Sequence, residues 1–540
     1  MPPLSPRQEL LRLQKRIFLK NRQIIGASVI HSDRSFTAYE ERYLKGVRNF
    51  KSAAGVEEVV EAMAKADIIY VGDYHTLNQS QRSFLRVLRS FIPRTRKFCI
   101  GLEVIGWRHQ EFLMQYVQGR IGDRTFLKKI GFREHWFFDL WDHFRPIFDF
   151  ARYHRIPLYG IEAYPQDGAG LQRRDAGCAR LIHEIYREDP TRKIFVFIGD
   201  LHLARAHLPA EVNRVFKREG IRPKTVTLFQ NSASIYWKLA EKGMEHQAQV
   251  VKISENEFCR MHTPPIIAQQ SYLNWLEHEE GVFDYADAKQ TFMDYVDQIA
   301  GFLGLSAGPE KENVEVFTCG DLSFLRKLGE SGQFSPRELR EIKRQILRSE
   351  SYYIPRMKYV YLADVSINHA SEEASHYLKN LCSGEEFARP MQDAFYANAL
   401  HEAVGFFGSR IINHRRKCRR PSEYVKLIRY LSRNRRALKG RELEFQTAIL
   451  FLDHERKAKK GVAFHPNTIK SLSTDLFLSV THAIGYSLGE RMFHGLLGGQ
   501  LTKGYARELF YDPMEEEGEP VRRYFELLKK LKGVKLPKRV

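Results

Sequence analysis

The sequence predicts an α/β domain with a mainly parallel, doubly wound sheet and flanking helices, followed by a mostly α-helical domain. Two observations support this fold class. Apolar runs alternate with helix-like segments between residues 66 and 254, which is typical of a parallel sheet covered by helices. Beyond residue 270 the hydrophobic residues recur at helical spacing, interrupted at Gly and Pro.

Composition limits the class of protein. With 540 residues the chain is too long for one ordinary core, and its net charge of +20 favours an anionic partner without identifying it. Six scattered cysteines argue against a disulfide framework or a zinc ribbon and fit a reducing compartment. The N-terminal segment has neither a signal-peptide core nor a lipidation cysteine, and no long apolar span follows it. We therefore expect a cytoplasmic location and no transmembrane segment.

Three parts are predicted along the chain: an N-terminal helical arm at 1–34, an α/β domain at 35–263 and a mainly helical domain at 264–540. The arm contains a basic amphipathic helix over residues 5–25. The segment MHTPPIIAQQ (261–270) predicts a linker, because consecutive prolines disfavour both helix and sheet.

The α/β domain is predicted from its apolar runs in order. Strands are expected within 66–76, 97–105, 156–163, 193–203 and 224–230, with a possible edge strand at 248–254. Helices are expected at 55–65, 78–92, within the aromatic-rich stretch 107–152 (with a new segment beginning at Arg145-Pro146), at 170–188 and after Pro209.

The later region predicts mostly helix. The helical segments are 271–303, 336–350, 358–380, 391–413, 422–438, 442–460, 468–493 and 519–532, and 313–318 predicts a short strand. Residues 403–406 (AVGF) resemble residues 483–486 (AIGY), which indicates either two helices packed closely at small residues or a coincidence. Glu373-x-x-His376 has the spacing of di-iron ligands, but no second such pair occurs there, so we expect surface or core polar residues.

Four predicted strands of the α/β domain end in acids or histidines. Two end in Gly-Asp-x-His, giving Asp73 with His75 and Asp200 with His202, and the others deliver Glu103 and Glu162; if the backbone stays extended, each Asp and His share a face. Ligand sites of parallel sheets lie beyond the carboxyl ends of the strands. These residue types can hold Zn, Mn, Fe or Co and take a proton from bound water, or can simply cap helices and turns.

A second group of polar residues lies in the aromatic-rich stretch. His135, Asp139 and His143 recur every four residues and share one helix face. They either face the strand ends or form the polar side of a packing helix.

The motifs VGDYHT (71–76), GLEV (101–104), Trp141-x-x-x-Arg145-Pro146 and FIGDLHLARAHLP (197–209) occur in an order that resembles the ChaN-like haem-binding uptake proteins. This family belongs to a superfamily with the Tiki metalloproteases, TraB proteins and erythromycin esterases, and the resemblance covers about 35–260. It implies a ligand set of Asp73, His75, Glu103 and His202. The first acid is Asp rather than the more common Glu, and Glu162 stands where many of these proteins have a neutral residue.

The resemblance implies a haem- or metal-binding function at the strand ends. In that hypothesis Tyr74 or a histidine is the axial ligand, His135 and His143 flank the porphyrin, and Arg145 pairs with a propionate. The alternative is a metal-dependent hydrolase in which His75, His202 and Glu103 or Asp73 hold Fe, Mn, Co or Zn, with Glu162 or Glu103 as general base. A third hypothesis is contact of the basic region 410–460 with anionic membrane or nucleic acid.

Overall fold

The computed structural model describes residues 4–28, 34–132, 140–163, 170–245, 247–279, 285–306, 308, 311, 313–318, 321–347, 351–363, 366–384 and 388–537. Its contacts divide the chain into two compact units. The α/β unit is Phe18–Val282, and the helical unit comprises Met1–Ile17 with Phe283–Pro537. The division near the middle of the chain therefore falls at 282/283.

Within the described residues of the α/β unit, eight strands form one sheet in the order β1-β7-β8-β6-β2-β5-β3-β4. The strands are β1 (Ser52–Ala54), β2 (Ile68–Asp73), β3 (Phe98–Gly106), β4 (Leu158–Glu162), β5 (Lys193–Gly199), β6 (Thr225–Gln230), β7 (Val250–Ser254) and β8 (Glu257–Arg260). Six of them pair in parallel, whereas β7 runs antiparallel to both β1 and β8. The predicted mainly parallel α/β class is confirmed.

Helices connect and flank these strands. They are α1 (Pro6–Ser28), which contributes to both units, and α2 (Arg34–Gly46), α3 (Val56–Lys65), α4 (Asn78–Phe91), α5 (Gln110–Val117), α6 (Asp123–Lys129), α7 (Trp141–His154), α8 (Leu171–Glu188), α9 (Leu208–Lys217), α10 (Ala233–Glu241) and α11 (Pro265–Glu279). Helix α4 packs on the sheet through aromatic rings: Phe84 stacks on Phe197 with centroids 4.2 Å apart, and Phe91 meets Phe195 edge to face at 5.0 Å.

Two predicted helix boundaries and one predicted strand position in this unit are corrected. Helix α11 begins at Pro265 inside the predicted linker, because proline is tolerated in the first turn, where its missing N–H has no intrahelical partner. Helix α7 begins at Trp141 and continues through Pro146 rather than starting there. Strand β7 is not an edge strand, since β1 pairs with its outer side.

The helical unit is built from α12 (Tyr285–Leu303), α13 (Ser323–Glu330), α14 (Pro336–Leu347), α15 (Ile367–Ser383), α16 (Met391–Ile412), α17 (Pro421–Arg433), α18 (Arg435–Leu438), α19 (Glu442–Ala458), α20 (Pro466–Lys470), α21 (Thr474–Leu497), α22 (Lys503–Tyr511) and α23 (Glu519–Lys530). A small sheet, ordered β10-β11-β9, accompanies them. Its strands are β9 (Glu315–Thr318), β10 (Tyr352–Ile354) and β11 (Tyr359–Leu362). The predicted strand at 313–318 is thus confirmed. The predicted helix at 358–380 begins only at Ile367, because the aromatic and β-branched run before it favours a strand.

The two similar segments of this unit lie on helices that pack against each other. A β-carbon on Gly485 of α21 would lie 2.7 Å from the carbonyl oxygen of Ala399 on α16, and one on Gly489 would lie 2.6 Å from that of Ala403. Glycine is therefore required for the observed approach of the two backbones. Of the two interpretations, the closely packed helix pair is the one observed.

None of the helices in the described part of the chain combines the length and the apolar character needed to cross a membrane.

Candidate functional site

The strand ends that carry polar residues meet at one edge of the sheet of the α/β unit. Strands β2, β5, β3 and β4 are neighbours in that order, and Asp73 at the end of β2 pairs in register with Gly199 at the end of β5. Because these strands are parallel, all four carboxyl ends point to the same edge. We call the polar residues gathered there the strand-end cluster.

Glu103 of β3 lies at the centre of the strand-end cluster. Its Oε2 is 3.7 Å from Nε2 of His75, its Oε1 is 3.7 Å from Nε2 of His202, and Oε2 accepts a hydrogen bond from the backbone N–H of Gly199 at 2.6 Å. A β-carbon on Gly199 would lie 3.5 Å from both His75 Nε2 and His202 Cδ2. The two imidazoles, distant in sequence, are therefore neighbours around one carboxylate.

Each imidazole is oriented by an aspartate. His75 Nδ1 is 2.8 Å from Asp73 Oδ2, and the other oxygen of Asp73 accepts a hydrogen bond from Gln81 Nε2 at 2.6 Å. His202 Nδ1 is 2.6 Å from Oδ1 of Asp175. Such contacts fix the ring orientation.

Arg174 of α8 connects the two glutamates of the cluster. Its Nη2 donates to Glu103 Oε1 at 2.6 Å, and its Nε donates to Glu162 Oε2 at 2.8 Å. Both oxygens of Glu103 are thus hydrogen-bonded to protein donors. The guanidinium supplies the positive charge that balances these buried carboxylates.

The Asp200-x-His202 segment departs from the extended geometry expected of it. Asp200–Leu203 form a 3₁₀ turn, so that Asp200 and His202 point to different partners. Asp200 accepts hydrogen bonds from the Tyr43 hydroxyl and, at 3.0 Å, from the backbone N–H of Gln230. Its side chain lies against Gly72, where a β-carbon would be 1.5 Å from Oδ1. Asp200 therefore packs beside the cluster and does not line it.

The electrostatics of the cluster are uneven. Burial alone would raise the pKa of Glu103, but His75, Arg174, His202 and the Gly199 N–H together lower it to about 2. Burial raises the pKa of Asp73 despite its hydrogen bond to His75. Burial opposes protonation of His75, yet Asp73 and Glu103 outweigh it and raise the pKa of the imidazole. The cluster therefore favours a fixed negative charge on Glu103 and a positive charge on His75.

The comparisons with known proteins identify this region. Residues 59–168, which include the ends of β2, β3 and β4, match the family model described as haem-binding uptake, Tiki superfamily, ChaN. This segment is a ChaN-like domain. A solved structure of Campylobacter jejuni ChaN with cofacially bound heme is 15% identical, with 34% of this chain and 88% of that chain covered and a TM-score of 0.25. No curated protein matches the chain.

The residues predicted to bind haem differ in their burial and in their contacts. Tyr74 and His143 are partly buried, and the backbone of His75 interacts with the His143 ring. Arg145 is half exposed and pairs with Asp123 at 3.2 Å and with Asp149 at 3.9 Å. His135 and Asp139 lie outside the described residues.

Sequence reasoning missed the residues that helices contribute to the strand-end cluster. Arg174 and Asp175 come from α8, and Tyr39 of α2 donates to Asp175 Oδ2 at 2.7 Å and lies 3.1 Å from His202 Nδ1. Tyr39 and Tyr43 are four residues apart, so they share one face of α2. The adjacent opposite charges of Arg174 and Asp175 near the start of α8 were the one available signal.

Part of the charge of the basic region 410–460 is paired within the helical unit. Arg410 and Arg416 are buried and pair with Glu490 and Glu372. Arg419 at the surface pairs with Glu444. These contacts use part of the region's charge inside the helical unit, and contact of the region with an anionic surface stays a prediction.

Proposed function

We propose that the ChaN-like domain binds haem at the carboxyl edge of its sheet, beside the strand-end cluster. The match of residues 59–168 to the ChaN family model carries this proposal. The matched segment includes Tyr74, next to Asp73, and His143 on α7. Both are ligand types that proteins use for haem iron.

His143 fits an axial ligand better than the imidazoles within the cluster. Burial and the neighbouring Arg82 lower the pKa of His143, so that the ring is neutral near pH 7, the form that binds iron. His75, in contrast, is held between Asp73 and Glu103 with a raised pKa. The phenol pKa of Tyr74 is raised by burial, which makes its deprotonation before iron binding costly.

The charge near His143 suits a propionate. Arg82 lies on the exposed face of α4 and is close enough to His143 to influence its titration. Arg145 was the predicted propionate partner, but it already pairs with two aspartates. We therefore assign the propionate contact to Arg82.

Haemin titration of the purified full chain tests the proposal. We expect a Soret band to appear at micromolar haemin, together with quenching of tryptophan fluorescence. His143→Gln should shift or abolish the band, and Arg82→Gln should weaken binding about tenfold, the effect of losing one charged contact of about 1.4 kcal/mol. His154→Gln on the same helix is the matched control. Absence of any spectral change in the wild-type chain would refute the proposal.

A hydrolase is the second candidate function, favoured by the Asp73–His75 pair. His75 is oriented at 2.8 Å by Asp73, and its side chain retains 26% of its exposure, so substrate can reach it. Glu103 and Glu162 are less suited to be the general base because both are bound to Arg174. The strand-end metal set of Asp73, His75, Glu103 and His202 stays a prediction. A panel of ester and peptide substrates, with and without Mn or Co, tests this candidate. Hydrolysis that His75→Gln leaves unchanged would exclude it.

A further inference from the structure

The helical unit contains a buried group of ligand-type side chains that the ChaN match does not cover. Glu372 and His376 are four residues apart on α15, and Glu402 comes from α16. One donor atom from each of the three lies within 4.8 Å of the others. Among the residues that the structure describes, no other set of three His, Cys, Asp or Glu meets this criterion. We call it the helical cluster.

Two atoms of the helical cluster are buried without a hydrogen-bond partner. Glu372 is 6% exposed and His376 is 7% exposed. Glu372 Oε2 accepts hydrogen bonds from Arg416 at 2.6 Å and from Tyr486 at 2.8 Å, whereas Oε1 has no partner among the described residues. Nδ1 of His376 is also unpartnered there. A buried carboxylate oxygen and a buried imidazole nitrogen left unpaired are costly, and such atoms call for an explanation.

The packing of the helices makes room for these side chains. A β-carbon on Gly405 of α16 would lie 2.5 Å from Nε2 of His376, and one on Gly485 of α21 would lie 2.4 Å from the β-carbon of Glu402. Glycine at both positions leaves room for the imidazole of His376 and the side chain of Glu402 between the helices. The cluster is thus positioned on rigid elements rather than on loops.

A second layer of side chains orients the cluster. Nδ1 of His482 on α21 lies 2.9 Å from Glu402 Oε2. An imidazole orients this carboxylate without adding a further negative charge to the cluster. The ring of His401 stacks on that of His376 with centroids 4.3 Å apart. Partners of this kind orient metal ligands and tune their affinity.

A cavity lies next to the helical cluster. His401 borders a cavity of about 190 Å³ that is lined as well by Lys379, Asn380, Arg389 and Asn398. Because the His401 ring contacts His376, this cavity adjoins the cluster.

We propose that Glu372, His376 and Glu402 bind one divalent first-row transition ion, of the class Mn, Fe, Co or Zn. Two carboxylates and one imidazole form a mixed O,O,N set that suits these ions, and the ion satisfies the unpaired atoms of Glu372 and His376. Arg416 offsets one of the two carboxylate charges, so the ion leaves the buried site with a modest net charge.

Metal titration of the full chain after chelator treatment tests this proposal. We expect one equivalent of Co(II) to bind, with visible d–d absorption bands and a calorimetric heat. Glu402→Gln, which keeps the shape of the side chain, should weaken binding by more than about 100-fold, and His482→Gln by about tenfold.

Two further variants make the result decisive. Glu373→Gln is the matched control on α15: Glu373 is buried beside Glu372 but contributes no donor atom to the helical cluster, so binding should persist. His75→Gln removes an imidazole from the strand-end cluster and should also leave Co(II) binding intact. The proposal is overturned if folded wild-type protein, checked by circular dichroism, binds no Co(II). It is overturned equally if His75→Gln, and not Glu402→Gln, abolishes binding.

Discussion

Replacement of Glu103 by glutamine should remove a specific, pH-dependent part of the stability of the α/β unit. Glu103 is 3% exposed, and two imidazoles, Arg174 and a backbone N–H lower its pKa from the ordinary 4.5 to about 2. This difference corresponds to about 3 kcal/mol of folding free energy. Since the folded pKa is lowered, the contribution is fully present above about pH 4.5 and is lost as the pH falls toward 2.

Urea unfolding followed by tryptophan fluorescence measures this effect. All five tryptophans of the chain lie between residues 107 and 275, so their emission reports on the α/β unit alone. The wild-type chain should have a larger free energy of unfolding than Glu103→Gln at pH 7. We expect this difference to be about 3 kcal/mol larger at pH 7 than near pH 2. Glu61→Gln, on the exposed side of α3, is the control and should show little difference at any pH.

The comparison separates ionisation from shape. Glutamine retains the volume of Glu103 and part of its hydrogen bonding, so any loss from geometry is the same at every pH. A stability difference that stays constant from neutral to acid pH would therefore show that Glu103 is not held ionised by its neighbours, and would refute the electrostatic account.

Two further predictions concern the neighbouring Asp200. Burial raises the pKa of Asp200 to about 7, so ionisation of this carboxyl lowers the free energy of unfolding as the pH rises from about 4 to 7. Over that interval Asp200→Asn should become more stable than the wild-type chain by up to about 4 kcal/mol. Urea unfolding measures this difference, and equal pH profiles of the two proteins would contradict the prediction. Gly72→Ala places a β-carbon 1.5 Å from Asp200 Oδ1 and should lower the free energy of unfolding by about 3 kcal/mol or more. Adding Asp200→Ala should recover part of this loss. In the control Gly55→Ala the new β-carbon meets nothing within 4 Å, so its stability should be unchanged.

Much of the sheet and its polar edge could be predicted from the sequence. The apolar runs that carry Asp73, Glu103 and Glu162 form strands β2, β3 and β4, because a fully buried strand needs a continuous apolar run. Asp73 and Glu162 are the last residues of β2 and β4, whereas Glu103 lies three residues before the end of β3. Parallel pairing then brings those ends together. The apolar runs and the positions of the acids are both visible in the sequence, so this part of the site could be predicted.

The contributions of the helices to the same edge could not be predicted in this way. Arg174 and Asp175 occupy adjacent positions on α8, and only the rotation of that helix directs both side chains to the strand ends. The 3₁₀ turn after β5 likewise sends Asp200 and His202 in different directions, although their spacing equals that of Asp73 and His75. Spacing determines which residues share a face only when the secondary structure is already known.

The helical cluster shows the same limit more sharply. Glu373-x-x-His376 matches a known ligand spacing, yet the residue whose oxygen joins the cluster is Glu372, four positions before His376. Both glutamates are on the same side of α15 as His376, since three and four residues each come close to one helical turn. Helix α16 determines which of the two glutamates joins the cluster: Gly405 leaves room for the His376 imidazole, and Glu402 supplies the third donor. The repeated Ala-x-Gly-aromatic segments were therefore the better signal in the sequence, because close approach of backbones is what allows short acidic and imidazole side chains from different helices to reach one point.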